Sequence, residues 1–451
     1  MVVIGAGPKA AAIAAKVSAL HKCGFIVPEV VVVERREPGA NWGGKFGFTD
    51  GDHRLGTPPE KDVGFPYDDE YYDSRVSEEM LARYSWQSYL ANTPGRYGEW
   101  IDRGRAHPFH RDWARYLAWV LRRAERNGPV QMLIGEAIGV SPVNSAGWQV
   151  RVRDTHGKVQ KISADAVVIT GPGGPKTMKV SVAGGGAPSD PVPGLYNGVD
   201  YWTRLGELQR LRMREDEEIC VIGSGETAAS VVVDLAKRFT VNPILVLNRH
   251  GTIFSRGEGF HENRTFTDPD HRSGTRWSDL EDGHRGEVIQ RADRGVFSLD
   301  TIADVNRAEN VVHVLANVTE ISIEQHQLGG NTFMVKHQNA ETGPAGLIEA
   351  AIVVDATGFT ERWFLELFPK KLKEKFEDAP EVSFGSDLSV VGIQPGLHLP
   401  TIAGRSQGPG FPNLSCLGRL SNRILSKYVQ PPTTLEGLGG QQTVQTERQL
   451  M

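Results

Sequence analysis

Two segments of this chain begin alike, and each restricts what the rest can become. Met1-Val2-Val3-Ile4-Gly5-Ala6-Gly7-Pro8-Lys9-Ala10 is an apolar strand that runs into G-x-G-x-x-A. An alanine-rich helix follows and reaches Lys22, with Gly24 placed to end it. Next comes Glu29-Val30-Val31-Val32-Val33-Glu34, a strand of the kind buried on both faces of a parallel sheet, closing in an acid. Gly5 permits the tight turn, and Gly7 lets backbone N–H groups approach a pyrophosphate. Ala10 allows close helix–strand packing, and Glu34 can accept hydrogen bonds from a ribose. Strand, turn, helix, second strand and acid together specify a dinucleotide site more strongly than the glycines alone.

The second beginning is Glu218-Ile219-Cys220-Val221-Ile222-Gly223-Ser224-Gly225-Glu226-Thr227-Ala228, with Gly223, Gly225 and Ala228 in the same three roles. Its following strand, Ile244 to Leu247, ends at Asn248-Arg249-His250. A carboxylate there would repel a ribose 2′-phosphate, whereas Arg249 can pair with it. That selects NADPH over NADH.

Two more apolar strands close in Thr-Gly, at Ala166–Gly171 and Ile352–Gly358. In flavoproteins with two dinucleotide sites such turns mark passages between domains. The expected fold is α/β, two Rossmann-like dinucleotide-binding domains, with the NADPH domain inserted into the FAD domain. The expected boundaries are 1–173 for the first FAD part, 174–349 for the insert and 350–429 for the second FAD part. The tail 430–451, rich in Gly, Pro, Gln and Thr, reads as disordered.

Composition removes other classes. The chain has 451 residues and a formal charge of −5, so nothing in its charge points to nucleic acid or an anionic membrane. No apolar run has membrane-spanning length, and the strand at Met1 leaves no room for a secretory leader, so a cytoplasmic setting is expected. A homo-oligomer is compatible with the sequence. The three cysteines, Cys23, Cys220 and Cys416, are too far apart for a redox pair or a metal site. FAD and NADPH in one chain imply hydride transfer to flavin, and the electrons must then leave. With no disulfide partner and no iron–sulfur or haem motif, molecular oxygen is the simplest acceptor. An NADPH-driven electron-transfer flavoprotein is the alternative from another class.

The segments between the dinucleotide motifs carry a resemblance. They include Gly39-Ala40-Asn41-Trp42, Asp50 to Thr57, Pro59-Glu60-Lys61-Asp62-Val63-Gly64-Phe65-Pro66-Tyr67, Arg83 to Leu90, Glu99 to Arg105, Arg256 to Phe260, Asp293-Arg294-Gly295 and Gln407 to Gly418. The chain resembles the N-hydroxylating flavin monooxygenases, and among them the L-lysine 6-monooxygenases of mycobactin and nocobactin biosynthesis. The resemblance implies FAD- and NADPH-dependent N6-hydroxylation of L-lysine by oxygen, through a 4a-hydroperoxyflavin, for a hydroxamate siderophore. Ornithine or a diamine is the rival substrate.

It also implies roles for residues. Trp42 belongs to the segment that covers the flavin. Lys61 would bind the substrate carboxylate. Asn263 would contact both the substrate amine and the nicotinamide end of NADP. Counting back from Asn263 without a gap puts Arg249 at the 2′-phosphate position. A second carboxylate and nicotinamide contact falls at Asp293 or Arg294. At the flavin edge, Gly410 and Phe411 can supply N–H groups, and a helix is expected to begin near Asn413. Gly56 departs from the ornithine enzymes, which carry Gln there. The substrate amine must lose its proton before it can attack. His250, His261 and Glu262 are candidate bases, each equally explicable as structural.

Overall fold

The computed structural model describes residues 1–143, 147–182, 186, 188, 191–250, 252–256, 276–325, 331–338, 343, 345–377 and 382–432. Two parallel five-stranded sheets organise the chain. The first runs Leu397–His398, Val167–Ile169, Val2–Ile4, Val30–Glu34 and Val130–Ile134 in spatial order. The second runs Val311–Leu315, Ile244–Asn248, Ile219–Ile222, Ile352–Asp355 and Leu195–Asn197. Each glycine motif therefore follows a central strand, where the chain can bury an unbroken Val/Ile run on both faces. A three-stranded antiparallel sheet, Glu136–Val143, Gly147–Arg153 and Val159–Ala164, extends the first unit. A four-stranded sheet containing Val180–Val182 and Asn317–Gln325 extends the second.

The chain leaves the first sheet after Ile169, builds the second, and returns to the first at Leu397. One expected boundary moves. Ile352–Asp355 pairs in register with Ile219–Ile222, so the second unit keeps this strand and the crossing falls after Asp355, not at 350. The Asp355 carboxylate fastens the crossing by accepting from Met178 N at 2.8 Å, Thr357 N at 3.1 Å and Thr357 Oγ1 at 2.6 Å.

The helix Pro8–Lys22 is buried from Lys9 to Leu20, and its alanines let neighbours approach closely. It packs on the helices His110–Asn127 and Leu417–Leu425. The first of these buries Trp113, Ala114, Tyr116, Leu117, Val120, Leu121 and Ala124, one stripe at helical spacing. Each large side chain so buried contributes about 1.5–3 kcal/mol relative to exposure. The expected tail lies largely outside the described residues, which end at 432. Among the described residues no helix is long and apolar enough to cross a membrane.

Candidate active site

A cavity of about 670 Å³ opens along the carboxyl ends of the first sheet and reaches the second unit. The first turn forms one wall. Gly5 has φ +95°, and a Cβ there would lie 2.7 Å from Thr170 Oγ1, so no other residue fits without displacement. A Cβ on Gly7 would meet nothing within 4 Å, which leaves the turn's face open to a ligand. Thr170 Oγ1 donates to Ile4 O at 2.9 Å and ties the two strand ends together. Glu34 lines the cavity, with its carboxylate accepting from Ala6 N at 2.8 Å and Arg36 N at 2.9 Å. Ala10 is fully buried behind the turn. A glycine cradle, an acid at the second strand's end and a deep cleft fit the FAD that the sequence calls for.

Trp42 forms part of the wall and meets His110 edge-on, with ring centroids 5.0 Å apart. Burial, with the neighbouring His53 adding to it, pushes His110 down to about 3, so its imidazole is neutral at physiological pH. Its Nδ1 lies 3.0 Å from Thr49 Oγ1.

The opposite wall comes from the second unit through Glu226, Thr227, Ser230, Arg256 and Arg294. Gly223 has φ +138°, and a Cβ there would lie 2.5 Å from Ala356 O. Gly225 faces Arg294 O, 3.0 Å from an ideal Cβ. Ala228 is buried against the sheet. Arg249 is exposed at the end of its strand and outside the cavity's lining. Arg294 lies within the lining, with Nη1 3.7 Å from Glu361 Oε1. Asp293 falls in the helical turn Gln290–Arg294. Its side chain is outside the described set, as are Asn263, His261 and Glu262. His250 is half-buried and shifted down by burial and by Arg249.

Gly56 lines the cavity, and the space before it is filled from the other unit: a Cβ would stand 3.0 Å from Glu226 Oε1 and 3.3 Å from Ser298 Cβ. The absent side chain thus admits a domain contact. Lys61 follows in the same loop but is buried, outside the cavity lining, with Nζ 6.0 Å from the Phe65 ring centroid. Beside it, Asp62 is buried and accepts from Tyr67 Oη at 2.5 Å, Trp86 N at 2.7 Å and Gly64 N at 3.1 Å. Burial raises its carboxyl to about 6 despite those bonds.

At the C-terminal side the wall is Pro412, Asn413 and Leu414. Gly410 and Phe411 lie just behind it: both are buried, and Phe411 N donates to Gly408 O at 3.4 Å. The helix expected near Asn413 begins at Leu417 instead. Asn413 Oδ1 accepts from Ser415 N at 2.7 Å, and this local turn postpones it. Sequence reasoning missed Lys9, Glu226 and Arg256 as cavity residues. The first two occupy variable positions of the glycine motifs, and that placement was the available signal.

Two parallel nucleotide-binding units, one interrupting the other and both facing one cavity, define a two-dinucleotide flavoprotein oxidoreductase. The family described as L-lysine 6-monooxygenase/L-ornithine 5-monooxygenase matches residues 80–361, and this chain belongs to it. It is 39% identical over 446 residues to the L-lysine N6-monooxygenase MbtG of Mycobacterium tuberculosis, covering 96% of each chain. It is 38% identical to the protein of that name in Mycobacterium sp. (strain MCS), covering 94% of each. Among solved structures, lysine monooxygenase NbtG from Nocardia farcinica superposes with a TM-score of 0.75 at 36% identity, covering 94% of this chain and 99% of that one.

Proposed function

We propose that this protein hydroxylates the side-chain amine of L-lysine, using FAD, NADPH and molecular oxygen. The carrying observation is the 39% identity to a lysine N6-monooxygenase over 96% of both chains. The product, N6-hydroxylysine, is the building block a lysine-based hydroxamate siderophore needs. A cytoplasmic setting supplies NADPH and free lysine and keeps Cys23, Cys220 and Cys416 as the free thiols they are.

The first turn, Gly5 to Ala10, would hold the FAD pyrophosphate on N–H groups and a helix N-terminus, with Glu34 at a ribose and Trp42 against the ring. Gly410 and Phe411 would back the flavin edge. The turn Gly223 to Ala228 would hold NADPH, with Arg249 on its 2′-phosphate. Bound flavin supplies the activation of oxygen. The chain's own task is to keep water out and to orient the amine. Lys61 would hold the substrate carboxylate, Asn263 the amine, and the Asp293–Arg294 turn the second carboxylate contact. Free lysine is protonated at neutral pH, so desolvation beneath the second unit must favour the neutral amine.

The test is product formation. Purified enzyme with FAD and NADPH should yield a hydroxylamine from lysine, with less or none from ornithine and cadaverine. NADPH oxidation without any hydroxylated amine would reject the reading. A better yield from ornithine or cadaverine would reassign the substrate.

A further inference from the structure

Lys9 stands out in the cofactor cavity because the dinucleotide motif does not call for it. It is the variable residue immediately before Ala10 in G-x-G-x-x-A, where the turn itself asks only for a backbone. Here it places a lysine at the second position of the helix Pro8–Lys22. The side chain is only 9% exposed and lines the cavity. Its Nζ reaches across to the C-terminal loop and donates to Pro412 O at 2.6 Å. Pro412 is itself a wall residue, followed in the wall by Asn413 and Leu414. The loop continues into Cys416 and the helix Leu417–Leu425. Cys416 lies in the combined field of Arg423, Lys9, Arg419 and Lys61. Arg419 is engaged by Asp68 at 2.8 Å, and Arg423 covers the Phe411 ring at 4.7 Å. Of these four cations Lys9 alone lines the cavity.

Charge bookkeeping says what such a cation can do. Hydride transfer breaks a C–H bond of the reduced nicotinamide and moves two electrons with the hydrogen nucleus. The nicotinamide becomes a cation and the neutral flavin becomes an anion. An ammonium already fixed at the wall favours that product, and in a water-poor site it does so more strongly than in bulk solvent. We propose that Lys9 is a preorganised cation for the flavin ring, stabilising the negative charge that appears on the ring when it is reduced. This rests on the assignment of FAD to the first glycine turn. The pyrophosphate is the competing anion. The reach of Nζ to Pro412 favours the ring.

The test reads the flavin itself rather than turnover. Holoenzyme is titrated with sulfite, which adds to oxidised flavin and leaves it anionic, and its midpoint potential is measured with reference dyes. Lys9→Met should weaken sulfite binding about tenfold or more, with the potential about 30 mV more negative for each tenfold in a two-electron couple. Lys9→Gln, which keeps a donor for Pro412 O but not the charge, should follow Lys9→Met. Lys9→Arg should stay within about threefold of wild type. Wild-type sulfite affinity and potential in Lys9→Gln overturn the proposal. So does weaker FAD retention at an unchanged potential, or loss of flavin from both uncharged variants, since either assigns Lys9 to the pyrophosphate or to structure. Wild-type protein that binds no FAD would sink the cofactor assignment, an outcome separate from any difference among the variants.

Discussion

A lysine buried beside a buried aspartate costs stability, and Lys61 and Asp62 are such neighbours in one loop. Asp62 spends its oxygens on Tyr67, Gly64 and Trp86, so it shapes the loop, while Lys61 holds the substrate carboxylate in the proposed reading. Lys61→Ala should raise the KM for lysine by about tenfold to a hundredfold, the range of one charge-assisted bond, while the KM for NADPH stays within about twofold. Steady-state kinetics scored on hydroxylamine product check this, and an unchanged lysine KM removes Lys61 from the site. Arg249 lends itself to a sharper comparison because it is exposed and carries no core burden. Arg249→Ala should weaken NADPH by about tenfold or more and leave NADH within about twofold, since only NADPH bears the 2′-phosphate. Equal losses for both would end the 2′-phosphate assignment. The glycines were legible from sequence because each must satisfy a local backbone rule. Lys9, Glu226 and Arg256 were not, because their importance comes from where a side chain ends, and that depends on the far wall.

At the scale of elements, local pattern named the strands and the turns, and pairing decided their membership. Val167–Ile169 and Ile352–Asp355 read alike, as apolar runs closing in Thr-Gly. One pairs with Val2–Ile4 and the other with Ile219–Ile222, a long-range choice that no short window encodes. The helix Leu417–Leu425 shows the opposite limit, a local capping turn at Asn413 that delays the helix beyond its expected start. The start of this helix is also a structural joint. Gly418 N donates to Phe65 O at 2.8 Å, and a Cβ on Gly418 would lie 2.2 Å from Gly64 O. That contact is backbone on the far side, so no rotamer change can relieve it. Gly418→Ala should therefore push the Lys61 loop off the helix and destabilise the first unit by about 1–3 kcal/mol or more. Denaturant unfolding followed by tryptophan fluorescence measures this, and a midpoint equal to wild type would show that the loop yields without cost.

For the molecule as a whole, acid should act first on the flavin-binding unit, because its buried histidines have no room for a proton. His110 is held down to about 3 and His398 to about 4, both chiefly by burial. His398 sits between Asp387 O and Tyr428 Oη, each 3.0 Å from a ring nitrogen, an arrangement a neutral imidazole satisfies with one donor and one acceptor. Both groups ionise near 6.5 once unfolded. Near pH 5 the unfolded chain thus binds nearly two more protons than the folded one through this pair, and fewer toward pH 6.5 and pH 4. Asp62 acts in the opposite sense: raised to about 6 from an ordinary 3.8, it keeps a proton in the folded state over much of the same range. Its contribution to stability is present below pH 3.8 and lost as pH rises through 6, while that of the histidines is present above 6.5 and lost as pH falls toward 4. Two against one leaves about one net proton in favour of the unfolded state from these three groups. His53, His250 and His313, each shifted down by burial, add to it, and Asp200, raised by burial, opposes it. Stability should therefore fall by roughly 1 kcal/mol or more per pH unit on acidification from 6 to 4.5. Asp387, held low by Lys427 and Ser389 against the opposing effect of burial, adds loss of the same sign at the acid end. Replacing the imidazole as His398→Gln should make the slope shallower by about 1 kcal/mol per pH unit over that interval, because it removes one of the depressed imidazoles. Denaturation midpoints at half-unit steps from pH 7 to 4.5 decide it, and a slope unchanged by His398→Gln would place the acid sensitivity elsewhere in the molecule.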